Sequence, residues 1–84
     1  MYFVYVLRSQ SSGKLYTGHC ADLAQRLGQH NRGVSRWTRN RGPWRLIYHE
    51  KFASRAEAMR REKYFKTGCG REEIQQILDR SSVG

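Results

Sequence analysis

Apolar side chains follow a strand-like pattern in three places along the chain. Tyr2–Leu7 is a nearly unbroken apolar, largely aromatic and β-branched run, which predicts a central strand covered on both faces. A polar turn at Arg8–Lys14 leads into a shorter strand at Leu15–Gly18, and the two strands are predicted to form an antiparallel hairpin. Trp44–Lys51 is the third predicted strand, with a mixed pattern. The residues that alternation places on one of its faces are Trp44, Leu46 and Tyr48.

The first helix is predicted between the second and third strands. Asp22 is a good N-cap, because its carboxylate can accept hydrogen bonds from free N–H groups of the first turn. The helix is expected to run from residue 23 to about residue 31, and Gly33 can end it in a left-handed conformation. The polar, basic stretch that follows, as far as Pro43, is predicted to be a loop.

Two further helices are predicted after the third strand. Ser54 and Glu57 form a capping box that opens the second helix, which extends to about Thr67 and is ended by Gly68 and Gly70. The third helix, at about residues 71–80, carries an apolar stripe. That stripe consists of Ile74, Ile77 and Leu78. The order of elements predicts an α+β fold, a small three-stranded, mostly antiparallel sheet flanked by three helices.

Length and charge narrow the possible functions. The 84 residues leave room for one hydrophobic core, so we expect a single domain over residues 1–80 and a frayed tail at 81–84. Sixteen Lys and Arg against seven Asp and Glu give a net charge of +9, which favours an anionic partner. The excess of arginine favours phosphate, because the guanidinium fork matches its oxygens. A membrane surface is the competing interpretation, but no segment approaches the roughly 20 apolar residues of a spanning helix.

The two cysteines, Cys20 and Cys69, have no neighbouring Cys or His at the spacing of a structural zinc site. No signal peptide is evident at the start of the chain. We therefore expect a cytoplasmic protein with reduced thiols, although a single bridge between the two cysteines stays open.

A carboxylate interrupts the apolar face of the second helix. Helical spacing places Ala58, Met59, Phe65 and Lys66 on the face that meets the core, with Glu62 between them. Burying an ionised carboxylate alone is costly. Glu62 should therefore pair with a cation, be neutralised by a shifted pKa, or bind a metal ion.

Other polar groups are predicted close to the same core. Arg26 and His30 lie one turn apart and border the apolar line of the first helix. Tyr5 and Tyr16 lie on the paired strands, where their hydroxyls can converge if both side chains share a face. Each of these residues is compatible with a structural role, but together with Glu62 they suggest a cleft.

A basic segment follows the first helix. Its arginines alternate with tryptophans, a pattern typical of surfaces that pair guanidinium groups with phosphates and stack indoles on bases. Trp37 is the predicted stacking residue, whereas Trp44 begins a strand and is expected in the core. The arginines are Arg32, Arg36, Arg39, Arg41 and Arg45.

These residues occur in the order and approximate spacing of the GIY-YIG nuclease superfamily, and the chain resembles its short, stand-alone, uncharacterised bacterial branch. The matching segments are Val4–Leu7, Tyr16–Gly18, Asp22–Asn31 and Arg61–Lys63. The sequence departs from the pattern at Phe3–Tyr5, which stands for Gly-Ile-Tyr, and at Thr17, which replaces an isoleucine. His19 occupies a position where some branches carry a lysine.

The resemblance implies a metal-dependent phosphodiesterase with a GIY-YIG-like α/β sandwich. Glu62 would be the single carboxylate that binds one Mg²⁺ or Mn²⁺ ion. Tyr16 would act as general base for the attacking water, and Tyr5 would position water or phosphate. Arg26 would hold the scissile phosphate, and His30 would hydrogen-bond it or assist proton transfer. Residues expected to contact nucleic acid are Gly18, His19, Asn31, Arg32, Arg36, Trp37, Arg39, Arg41 and Lys66.

Three functions stay open from the sequence. The first is an endonuclease acting on nucleic acid, with DNA as the favoured substrate and repair or recombination as the setting. The second is a nucleic-acid-binding module that keeps the fold without useful catalysis. The third is a protein-interaction domain whose basic face meets an acidic partner. A monomer or a weak homodimer is expected.

Overall fold

A computed structural model describes residues 1–32 and 43–81 of the protein. Its three strands are β1 (Tyr2–Ser9), β2 (Leu15–Cys20) and β3 (Trp44–Phe52), and they form one antiparallel sheet in the order β2-β1-β3. The helices are α1 (Leu23–Asn31), α2 (Arg55–Phe65) and α3 (Gly68–Ser81). The predicted α+β class, the order of elements and the central position of the first strand are confirmed.

Strand β1 divides the hydrophobic core into two halves because successive side chains of a strand point to opposite faces. Val4 and Val6 pack in one buried cluster, which contains residues of α2 and α3. Tyr5 and Leu7 belong to the other cluster, against which residues of α1 pack. Trp44, at the start of β3, is buried in this second cluster, as predicted. The sheet is therefore covered on both faces.

A bulge explains the mixed pattern of β3. Val6 pairs with Tyr48 but Leu7 pairs with Leu46, so Ile47 is an extra residue in the ladder. Beyond the bulge the alternation changes face, and Tyr48 packs against the α2–α3 cluster together with Ile47. The prediction that Tyr48 shares the face of Leu46 is therefore wrong.

The junction between α2 and α3 also differs from the prediction. Helix α2 ends at Phe65 instead of about Thr67, and the two nearby glycines belong to the first turn of α3. A Cβ on Gly70 would lie 1.9 Å from the carbonyl oxygen of Tyr64. Gly70 is thus required for the close approach of two helices, and the third helix begins earlier than predicted, at Gly68.

Both predicted helix starts are confirmed. Asp22 Oδ1 accepts a hydrogen bond from the Gln25 backbone N–H at 3.0 Å, and Ser54 Oγ accepts one from the Glu57 N–H at 3.3 Å. The predicted stop at Gly33 and residues 82–84 of the predicted tail lie outside the described residues. Within the ranges that the structure covers, no helix is long and apolar enough to cross a membrane.

Arg61 ties α2 to the neighbouring elements. Its guanidinium donates to Glu50 of β3 at 2.8 Å and also contacts Glu73 of α3. It lies over the ring of Phe65, with 4.2 Å from the guanidinium carbon to the ring centroid. This half-buried network holds the α2–α3 pair on the sheet, so that the following residue, Glu62, has a fixed position.

Candidate active site

The two predicted tyrosines converge on His30. The Tyr5 hydroxyl is hydrogen-bonded to His30 Nε2 at 3.0 Å. The ring of Tyr16 lies 5.0 Å from the His30 ring and 6.3 Å from the Tyr5 ring, measured between centroids. Tyr5 and His30 are both buried, whereas Tyr16 is partly exposed. Three of the four predicted catalytic side chains therefore form one cluster on the α1 side of the sheet.

Gly18 allows the Tyr5 ring to cross the edge strand. Tyr5 and Gly18 are paired across β1 and β2. A Cβ on Gly18 would lie 2.5 Å from the Tyr5 hydroxyl oxygen and 2.7 Å from its Cζ. A position with no side chain is therefore needed directly beneath the tyrosine. The predicted contact of Gly18 with nucleic acid is a separate hypothesis, and this packing is sufficient to explain the residue.

Arg26 supplies positive charge to the cluster. It is exposed on α1 and forms no ion pair with any residue in the described ranges. Burial raises the pKa of Tyr5 well above its ordinary value, assisted by Tyr16 and opposed by Arg26. Burial lowers the pKa of His30, and the charge of Arg26 lowers it further. At neutral pH Tyr5 is a protonated hydroxyl and His30 is a neutral imidazole.

Glu62 lies on the other side of the edge strand, between two basic side chains. His19 Nδ1 is 2.7 Å from Glu62 Oε1, and the Lys66 ammonium donates to Oε2 at 3.0 Å. Burial acts to raise the pKa of Glu62, but the hydrogen bonds from His19 and Lys66 outweigh it and lower the pKa. The carboxylate is ionised at neutral pH. Of the three alternatives that the sequence left open, the structure shows pairing with cationic or protonatable groups.

The prediction of which α2 side chains face the core is only partly correct. Ala58 and Phe65 are buried, but Met59 is 41% exposed and the Lys66 side chain is 53% exposed. Lys66 turns from the core toward Glu62, because an ammonium group gains more from a carboxylate one turn away than from apolar neighbours. The side chain of Glu62 keeps 18% of its surface exposed.

Strand β2 connects the two halves of the candidate site. Tyr16 and Gly18 face the α1 side, and His19 is the next residue along the strand, whose side chain reaches Glu62 on α2. The charge of Glu62 is close enough to contribute to the raised pKa of Tyr5. The predicted residues are thus brought together around the edge strand β2, with Glu62 on one side and the tyrosine cluster on the other.

Glu62 is a suitable ligand for a hard divalent cation. No group of three or more His, Cys, Asp or Glu side chains in residues 1–32 and 43–80 is arranged to surround a metal ion. A single ionised carboxylate nevertheless fits Mg²⁺, which keeps several waters and takes further oxygens from substrate phosphate. Lys66 occupies one carboxylate oxygen and would have to yield it.

The remaining predicted contact residues fall into two groups. The Asn31 amide donates to the Trp44 carbonyl at 3.1 Å and accepts from the Trp44 N–H at 2.6 Å, which fixes the end of α1 to β3. Arg32 caps α1 through a hydrogen bond from its Nε to the Gly28 carbonyl. Both therefore have structural roles. Four further predicted contact residues lie outside the described residues, namely Arg36, Trp37, Arg39 and Arg41.

Two features were missed by the sequence predictions. The pairing of His19 with Glu62 was not predicted, although strand alternation places His19 on the face opposite Tyr16 and so toward α2. The Arg61 network was also missed, because its acidic partners, Glu50 and Glu73, lie on different elements and no local spacing indicates them.

Comparison with known proteins agrees with the fold and the residue pattern. A family model described as the GIY-YIG catalytic domain matches residues 1–73, a range that contains every candidate catalytic residue. UPF0213 proteins of Staphylococcus aureus strains Mu3 and Mu50 are 36% identical over 80 residues, covering 94% of this chain and 96% of each relative. A UPF0213 protein of Bacillus halodurans, solved by solution NMR, is 34% identical with a TM-score of 0.55. That match covers 92% of this chain and 85% of the other.

Proposed function

The chain belongs to the GIY-YIG family, and from this membership and the geometry around β2 we propose that it is a divalent-metal-dependent endonuclease that hydrolyses phosphodiester bonds of DNA. The observation that carries the proposal is the hydrogen bond between the Tyr5 hydroxyl and His30, with Tyr16 in ring contact with the same imidazole. A buried tyrosine and a buried histidine that are hydrogen-bonded to each other beside an edge strand are more than the hydrophobic core alone requires.

Each side chain has a role that its chemistry supports. Tyr5, with its raised pKa, remains protonated and serves as a hydrogen-bond donor, not as a base. Neutral His30 can accept a hydrogen bond from the Tyr5 hydroxyl at Nε2 when its own proton is on Nδ1. This hydrogen bond orients the Tyr5 hydroxyl. Arg26 has no acidic partner among the described residues, so its guanidinium can hold the scissile phosphate and stabilise the charge of the transition state. Tyr16, the partly exposed tyrosine, directs the attacking water, and in its phenolate form, after releasing its own proton to solvent, it takes the proton of that water. The water oxygen then bonds to phosphorus as the bond from phosphorus to the leaving sugar oxygen breaks.

Glu62 would hold one Mg²⁺ or Mn²⁺ ion, which supplies Lewis acidity at the phosphate when it is bound. His19 fixes the carboxylate through Oε1 and thereby sets the direction of Oε2. The ionised state of Glu62 at neutral pH is what a magnesium ligand requires.

The test is cleavage of a panel of labelled DNA substrates in the presence of Mg²⁺, Mn²⁺ or EDTA. Flaps, junctions and single strands, which arise in repair and recombination, are compared with plain duplex. We expect cleavage with either metal and none with EDTA. Glu62→Gln and Tyr16→Phe should each abolish product, whereas Glu72→Gln, an exposed carboxylate of α3, should leave it unchanged. Circular dichroism checks that all variants remain folded.

A nucleic-acid-binding module without catalysis is the second candidate. The observation that favours it is the engagement of both Glu62 oxygens by His19 and Lys66, which satisfies the carboxylate without any metal ion. In that case DNA would be retained in a salt-dependent manner and no substrate would be cut with either metal. Undiminished cleavage by Glu62→Gln would reject Glu62 as the ligand of the metal ion.

A further inference from the structure

A groove of about 330 Å³ crosses the end of the sheet where β1 begins and β2 ends. Arg26 lines it from α1 and Arg55 lines it from the first turn of α2. Tyr2 and His19 line the same groove from the two strands. The groove therefore joins residues of the candidate site, Arg26 and His19, to two further residues, Arg55 and Tyr2. Neither Arg55 nor Tyr2 has a catalytic role in the function proposed above.

Arg55 is placed where it contributes little to stability. It is the first residue of α2, so its positive charge meets the positive end of the helix dipole. No carboxylate of residues 1–32 or 43–80 lies within ion-pair distance of its guanidinium. Its observed contact is with the ring of Tyr2, with 5.4 Å from the guanidinium carbon to the ring centroid. A cation held in this way is available to an anion.

The groove as a whole is positively charged. Arg26 and Arg55 are both without acidic partners among the described side chains. Asp22 is the one carboxylate that lines the groove, and it accepts the Gln25 N–H as the cap of α1. Two unpaired guanidinium groups in one groove suit two phosphates, because each fork can bind phosphate oxygens in a bidentate manner.

We propose that Arg55 binds the phosphate adjacent to the scissile phosphate, and that this groove holds a single-stranded nucleotide between the two. The inference rests on the proposed function, because Arg26 identifies the position of the scissile phosphate. A groove of about 330 Å³ is comparable to the pocket of one small ligand, and the proposed substrate class is therefore DNA with an unpaired segment next to the cleavage site. Tyr2 is a positioning residue that directs the Arg55 guanidinium into the groove through its ring face.

Binding is measured by fluorescence anisotropy with a labelled single-stranded oligonucleotide in EDTA, over a range of salt concentrations. Arg55→Gln should weaken binding about tenfold, and it should reduce the slope of log K against log salt by about 0.7, the value for one phosphate on a single strand. Arg60→Gln removes an exposed arginine of the same helix that does not line the groove, and it should leave the slope unchanged.

Chemical neutralisation of one phosphate tests the assignment directly. A methylphosphonate placed next to the mapped cleavage position should weaken binding by the wild-type protein and leave Arg55→Gln unaffected, since the two changes remove the same contact. Placed three positions away, it should weaken both proteins equally. Tyr2→Phe keeps the aromatic face and should bind as the wild type does, whereas Tyr2→Leu should reproduce the loss caused by Arg55→Gln.

The two proposals fail separately. If the protein cleaves DNA with metal but Arg55→Gln and Arg60→Gln show equal salt slopes, the phosphate site at Arg55 is overturned and the proposed nuclease activity stands. A lowered slope in Arg55→Gln alone, with no cleavage under any condition, would support the phosphate contact and remove the nuclease. Equal binding of a fully paired duplex and a single strand by the wild type would overturn the unpaired-nucleotide assignment.

Discussion

His19 and Glu62 face each other across the junction of β2 and α2, with 2.7 Å between Nδ1 and Oε1. The pair joins an edge strand to a helix and fixes one oxygen of the proposed metal ligand. The other oxygen is held by Lys66, whose side chain is largely exposed and therefore replaceable. Glu62 thus has one structural contact and one contact that another cation can displace.

Removal of the Lys66 charge should increase metal affinity. The ammonium group and a divalent cation compete for Glu62 Oε2, and an exposed ion pair of this kind is worth less than about 1 kcal/mol. We expect Lys66→Gln to lower the Kd for Mn²⁺ about two- to fivefold, measured by electron paramagnetic resonance of the free ion. Lys63→Gln, an exposed neighbour outside the pair, is the control and should bind Mn²⁺ as the wild type does. Weaker binding in Lys66→Gln would show that the lysine supports the metal site instead.

Substitution of Gly18 should damage the site more than the fold. In Gly18→Ala the new methyl group meets the Tyr5 ring at 2.5–2.7 Å, so the tyrosine must move away from His30. We expect about a 100-fold loss of cleavage and a destabilisation of about 1–3 kcal/mol, measured by urea unfolding. In Gly28→Ala the nearest atom is Arg32 Nη2 at 3.8 Å, so this variant should be active and slightly more stable. Equal activity of the two variants would contradict the proposed role of Tyr5.

The sequence predicted the fold where the determinants are local. The apolar run of β1 and the caps Asp22 and Ser54 act within a few residues, and the structure confirms them. The extra residue Ile47 could not be located, because alternation has the same appearance on either side of a bulge until the partner strand is known. Gly70 was interpreted as a helix terminator because a glycine that ends a helix and one that permits close packing look alike in sequence.

The candidate site was predicted as a set of residues but not as a geometry. Tyr5, Tyr16 and His30 were selected and do meet, since strand pairing and one helical turn bring them together. The partners of Glu62 were not identified, because a contact between residues 43 positions apart depends on how α2 lies against β2. The two-sided arrangement around the edge strand follows from that packing, which no motif encodes.

The contrast between two neighbouring glycines tests the junction of α2 and α3. In Gly70→Ala the Cβ would collide with backbone atoms of Tyr64 and Phe65, which cannot move without separating the helices. We expect a loss of about 3 kcal/mol or more in the free energy of unfolding. In Gly68→Ala nothing lies within 4 Å of the new methyl group, so stability should be equal or slightly higher. Similar stabilities of both variants would show that the helices are not in close contact.

Acidification should weaken the fold through His30 at a higher pH than through Glu50 or Glu62. The pKa of His30 is lowered from the ordinary 6.5 by burial and by Arg26, so the unfolded chain binds a proton first as the pH falls. The free energy of unfolding should therefore decrease from about pH 6.5 downward, by at most about 1.4 kcal/mol per pH unit, until the folded protein also takes up the proton. The carboxylates of Glu50 and Glu62 have lowered pKa values and contribute only at lower pH.

Urea unfolding between about pH 7.5 and about pH 5 measures this dependence. His30→Gln should lose this dependence of the free energy of unfolding on pH. The variant has no imidazole at position 30 that the unfolded chain would protonate more readily than the folded protein. His49→Gln, which removes an exposed histidine of β3, should keep the dependence. If the three proteins show the same slope, His30 is not a buried neutral imidazole, and it cannot then be the acceptor that orients the Tyr5 hydroxyl at 3.0 Å.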